Sequence, residues 1–132
     1  KGVTNTMAPK NIERFNEIVG EIFGRLYESF PVKIDIKAVD IVRQNELTFF
    51  LDTVDWLKNS GYLIGARSSG GIHNAVLTAK GLEVLNATPG SLEKPLGARI
   101  SDSIKIEGKE ALRSLVSQTL GIGLQYMSRG LM

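Results

Sequence analysis

The sequence predicts a mainly α-helical domain carrying one small β-hairpin, an α+β fold with a single core. Three observations predict it. Apolar residues recur at helical spacing through three long stretches. Two short β-prone segments flank a glycine-rich turn. The composition, 42% hydrophobic and 23% charged over 132 residues, is that of a globular chain with one core.

Residues 11–30 form the clearest helix. Ile12, Phe15, Ile18, Val19, Ile22, Phe23 and Leu26 fall on one face, with Glu13, Arg14, Glu17, Glu21, Arg25 and Glu28 mostly between them. Pro9 suits the start and Pro31 stops it. Gly20 and Gly24 share a face and each costs about 1 kcal/mol against Ala in a helix. They read either as a close-packing site or as tolerated glycines. Residues 32–34 are an extended stub, and Asp35 is placed to cap a brief helix over 36–42. Asn45 marks a turn. A second helix covers 46–60, with Leu47, Phe50, Leu51, Val54 and Leu57 inward and Gly61 suited to the left-handed residue after its end.

Residues 62–67 and 72–77 read as hairpin strands around Ser68-Ser69-Gly70-Gly71. Thr78 caps a short helix running to Leu85. Thr88-Pro89-Gly90-Ser91 breaks the chain, residues 89–104 read as an irregular linker, and a last helix covers about 107–127. The organisation expected is thus a disordered or tag-like 1–8, a domain over 9–88, the linker, and a C-terminal helical segment over 105–132.

Two stretches carry a resemblance. Phe50-Leu51-Asp52-Thr53-Val54-Asp55-Trp56-Leu57-Lys58-Asn59-Ser60-Gly61-Tyr62-Leu63 runs a helix into a glycine-aromatic-leucine strand start. Leu77-Thr78-Ala79-Lys80-Gly81-Leu82-Glu83-Val84-Leu85 ends a strand, caps a helix and brings it close to the sheet. With the element order around them, they resemble the winged-helix superfamily, in particular its regulator-like branches. The resemblance covers residues 11–88. It implies a winged helix-turn-helix plus a C-terminal helix, double-stranded DNA as partner, a role in transcription regulation, and dimerisation through helices outside the motif.

On that reading the second helix would read bases and residues 67–74 would form the wing. Thr48, Thr53 and Asn59 on the helix, and Arg67, His73 and Asn74 on the wing, are the candidate DNA contacts. Lys33, Lys37 and Arg43 could meet backbone phosphate or be an ordinary solvated face. The helix departs from a good DNA reader. Glu46, Asp52 and Asp55 outnumber Lys58, it lacks arginine, and carboxylates on a presenting face oppose phosphate attraction. The alternative is a winged-helix module that binds protein without DNA. Phe49 and Trp56, seven residues apart and off the inner strip, would then be an exposed contact surface, or else would finish a wide core strip. Leu112, Leu115, Val116 and Leu120 on the last helix must fold back on the first helix or pair with a second copy, which makes a homo-oligomer through this helix the expected assembly.

Other chemistry finds no support. There is no cysteine and one histidine, His73, so thiolate metal sites and Cys nucleophiles are absent and no ligand-like spacing remains. Ser69-Gly70-Gly71 lacks the lysine of a phosphate-binding loop. No catalytic residue, cofactor or metal is expected, and no apolar run is long enough to span a membrane. The missing cysteines and the missing secretory pattern fit a reducing compartment, so a cytoplasmic setting is expected.

Overall fold

The computed structural model describes residues 9–88 and 94–130, with side chains as far as residue 125. The segment 1–8, residues 89–93 of the expected linker and the last two residues of the expected C-terminal segment lie outside the described residues. The order is α1 (Lys10–Ser29), β1 (Ile34–Lys37), two 3-10 turns (Ala38–Asp40 and Gln44–Glu46), α2 (Leu47–Asn59), β2 (Leu63–Ser68), β3 (Gly71–Leu77), α3 (Ala79–Asn86), α4 (Leu96–Asp102), a π-turn (Ser103–Glu107) and α5 (Lys109–Gly130). The fold is mainly helical with a small antiparallel sheet, the α+β class expected.

The hairpin forms as β2 and β3, with Leu63 opposite Leu77 and Ser68 opposite Gly71. The extended stub becomes a third strand. β1 pairs with the free side of β3, Ile36 opposite Ile72 and Lys37 opposite Gly71, so the order is β1-β3-β2. This corrects the helix expected over 36–42. Ile36 is buried while Asp35 and Lys37 are exposed, the period-two alternation of a half-buried strand. Asp35 caps nothing; its Oδ1 accepts the backbone N–H of Asn74 at 3.0 Å.

The core closes between α1 (Ile18, Ile22, Phe23, Leu26), α2 (Phe50, Val54, Leu57), the sheet (Ile36, Leu63, Ile72) and Leu85, all buried. Thr78 caps α3 as expected, its hydroxyl oxygen accepting the Gly81 N–H at 3.0 Å. Gly61 takes φ +83° just beyond α2.

The expected irregular linker is corrected by α4. Pro95 precedes its first turn, where a missing N–H costs nothing. Leu96 and Ile100, four apart, are fully buried, and Gly97 lies under the Tyr27 ring. α5 starts at Lys109, after Gly108 at φ +98°, and lies along α1. Gly20 makes room for Leu112, and Gly24 for Ile104 and Ile100. The two glycines are therefore close-packing sites. Leu112, Leu115 and Val116 are buried in the chain's own core and Leu120 packs against it. Leu112, Leu115 and Val116 are corrected from an interface between copies to intramolecular packing, because α5 packs on α1, α3 and α4 and buries them there. Among the described residues no helix is long and apolar enough to cross a membrane.

Candidate functional site

The 3.6-residue repeat of α2 sends Phe50, Thr53, Val54 and Leu57 inward and leaves Thr48, Asp52, Trp56 and Asn59 exposed. Thr53 is thereby corrected as a DNA contact. It is buried, and its hydroxyl donates to the Phe49 carbonyl at 2.8 Å inside the helix. Phe49 is half-buried against the core and Trp56 is 44% exposed. With Phe15, Asp52 and Thr53 they line a shallow depression of about 330 Å³.

Trp56 is held by its neighbours rather than left loose. Its ring meets Phe15 edge-on, with centroids 5.3 Å apart, and lies nearly parallel to the buried Tyr62 at 6.3 Å. Lys80 places its ammonium 4.4 Å from the Tyr62 ring centroid and donates to the Ser60 carbonyl at 2.8 Å. Burial pushes the Tyr62 hydroxyl pKa up. The sequence does not bring Phe15, Tyr62 and Lys80 to this site, because they come from three other segments.

The hairpin arginine does not stand free. Arg67 Nε donates to Asp55 Oδ1 at 3.0 Å and Nη2 to Oδ2 at 3.1 Å, while Nη1 donates to the Ser68 carbonyl. These bonds hold the Asp55 carboxyl below its usual range and raise the Arg67 pKa. His73 and Asn74 turn instead to β1. His73 Nδ1 lies 3.4 Å from Asp35 Oδ2, and Asn74, at φ +53°, gives its N–H to the same carboxylate. That N–H, and then His73, hold the Asp35 carboxyl low. Lys33, Lys37 and Arg43 are exposed and form no ion pair among the described residues. The expected DNA contacts therefore divide between the α2 face, where the cation is neutralised, and the β1 edge.

A second concavity, about 630 Å³, opens between α1, the 3-10 turns and the start of α5. Here Arg14 donates from Nε and Nη2 to both Glu46 oxygens at 2.9 Å, and from Nη1 to Glu17 at 3.0 Å. Arg113 donates to the other Glu17 oxygen at 2.6 Å. The chain hides this network because Glu46 lies 32 residues from Arg14 and Arg113 lies 96 from Glu17. Its charges are mutually satisfied and it clamps α5 and the start of α2 to α1. Among the described residues no group of His, Cys, Asp or Glu is placed to hold a metal ion.

Neither a known family model, nor a curated protein, nor a solved structure matches the chain.

Proposed function

We propose that the chain is a winged-helix-like interaction module that docks a protein partner on the outer face of α2. The winged-helix part of the reading is supported by the element order and by the strand order β1-β3-β2 around a helix that leads into a hairpin. One observation carries the choice of partner. α2 presents the half-exposed Trp56 beside the exposed Asp52, while the hairpin arginine that would meet phosphate is spent on Asp55. Aromatics concentrate at the centres of protein interfaces, and a carboxylate on a presenting helix that no ion pair engages repels a polyanion.

The test is a photo-crosslinking amino acid at Thr48, an exposed position on this face, in cells of the source organism. The expected adduct is protein, and it disappears with Trp56→Ala. Adducts that nuclease removes would overturn the reading.

One observation favours a second reading, duplex binding along β1. Lys33 precedes β1, Lys37 ends it and Arg43 follows the first 3-10 turn, all three exposed and without ion-pair partners among the described residues. On that reading the double variant Lys37→Ala/Arg43→Ala lowers the dependence of log affinity on log salt by about two for a duplex, one per lost phosphate contact. An unchanged slope removes it.

A further inference from the structure

The geometry points to an arginine side chain, carried between apolar residues of the partner segment, as the group that the α2 face receives. This inference rests on the interaction reading above and names the chemistry of its partner. Asp52 and Trp56 are four residues apart on α2, so they stand one above the other on the same strip. Both are exposed and both line the depression. Asp52 forms no ion pair among the described residues: Arg67 lies near enough to feel its charge but gives its fork to Asp55.

A carboxylate one turn from a tryptophan ring offers two attractions that only a cation satisfies together. The ring face carries the negative lobe of the indole quadrupole, and the carboxylate accepts a charge-assisted pair of hydrogen bonds. A guanidinium suits both better than an ammonium, because it is planar, stacks on rings, forks to a carboxylate and holds its water weakly. The chain uses each half of this arrangement next door. Lys80 sits over Tyr62, the ring beside Trp56, and Arg67 forks to Asp55, the next acid along α2. Phe15 and Phe49 supply apolar walls for flanking leucine-type side chains. An anionic segment would meet Asp52 and the negative ring face. A purely apolar one would strip water from Asp52 and return nothing for it.

Trp56 is the only tryptophan, so its emission reports this site alone. The probes are three five-residue peptides, Gly-Leu-X-Leu-Gly with blocked ends, where X is arginine, its uncharged isostere citrulline, or glutamate. The expected result is a saturable change of Trp56 emission with the arginine peptide. Citrulline binds about tenfold more weakly, the size of one lost charge-assisted contact, and glutamate binds more weakly still. Asp52→Asn, an isosteric change at an exposed position, erases the preference for arginine over citrulline. Equal binding of the arginine and citrulline peptides, or an arginine preference that survives Asp52→Asn, overturns the inference. So does silence of Trp56 toward all three peptides. In each case a Trp56-dependent protein adduct from Thr48 shows that the docking reading stands without it, and nuclease-sensitive adducts show that both have failed.

Discussion

Arg67 and Asp55 face each other across the gap between hairpin and helix, two nearly parallel N–H···O bonds of 3.0 and 3.1 Å joining them. The pair is partly exposed, so its value to stability is small. Its larger consequence is electrostatic, because it neutralises the hairpin cation on which the duplex-binding expectation relies. Asp55→Asn releases that cation. For a mixed-sequence duplex, the variant is expected to bind more tightly than the parent, with a log-log salt slope steeper by about one. Fluorescence anisotropy at several salt concentrations measures it. Identical slopes would mean that Arg67 faces no phosphate even when freed.

Thr78 ties three segments together. Its hydroxyl accepts from the Gly81 N–H and donates to the Gly61 carbonyl, joining the start of α3 to the turn after α2. Thr78→Ala loses both bonds and is expected to cost about 1–2 kcal/mol, while Thr78→Ser keeps most of that. Urea unfolding followed through Trp56 gives both values. Equal losses in the two variants would place the effect in the missing methyl instead.

These two sites show what a linear reading reaches. The Thr78 cap was legible because a cap and its first turn are neighbours in sequence. The apolar strip of α1 and the Gly20–Gly24 face were legible for the same reason. Strand β1 was misread because Asp35 is an equally good helix cap until Asn74 claims its carboxylate. The α4 helix was missed because Pro95 and Gly97 read as breakers. One opens the helix and the other makes room for Tyr27, while Leu96 and Ile100 carry the helical spacing. On the candidate site, Trp56 and Asp52 were legible as an off-strip aromatic and an acid. Their setting was not, since Phe15, Tyr62, Lys80 and Arg67 arrive through tertiary packing. Thr53 was assigned outward for its hydroxyl, which the helix backbone satisfies internally.

Acid is expected to weaken the fold through carboxylates that hold partners. Glu46 lies below its ordinary 4.5 chiefly because Arg14 hydrogen-bonds to it. Asp102 is held low first by Lys94, and Glu107 first by Arg99. In each case the unfolded chain takes up the proton at higher pH than the folded one. The stabilisation is therefore complete above the ordinary carboxylate values and lost as pH falls through the depressed ones. The urea midpoint is expected to be flat from pH 7 to about 5 and to fall below about 4.5. Glu46→Gln should lower the midpoint at neutral pH and flatten part of the acid limb. An acid limb unchanged in that variant would show that Glu46 keeps its protonation behaviour on unfolding.

Gly20 tests the seam between α1 and α5. Alanine there gains about 1 kcal/mol of helix propensity. Its methyl, however, would lie 2.5 Å from Leu112 Cδ1 and 2.7 Å from Cγ, and Cγ moves only if the whole packed side chain changes its χ1 rotamer. Overpacking of this kind costs about 1–3 kcal/mol. Gly20→Ala is therefore expected to be destabilising overall by about 1 kcal/mol. Leu112→Ala, which alone opens a cavity worth about 2–5 kcal/mol, should cost clearly less in the Gly20→Ala background. Additive losses in the double-mutant cycle would mean that the two side chains do not share the space.

Removal of α5 separates an intramolecular role from an intermolecular one. A chain ending at residue 108 loses Leu112, Leu115 and Val116 from the core, and Arg113 from Glu17. Each of those apolar side chains is worth about 1.5–3 kcal/mol on burial. Together they approach the whole stability of a small domain, about 5–15 kcal/mol. The loss also uncovers Gly20, which has no side chain of its own with which to fill the space left by Leu112. The shortened chain is therefore expected to lose its cooperative urea transition and the near-ultraviolet dichroism of its packed aromatics. A helix that served only to join two copies would behave differently on removal. The shortened chain would then keep a sharp transition at an unchanged midpoint and run as a single copy where the full chain runs as two, and light scattering alongside the unfolding curve distinguishes the two outcomes.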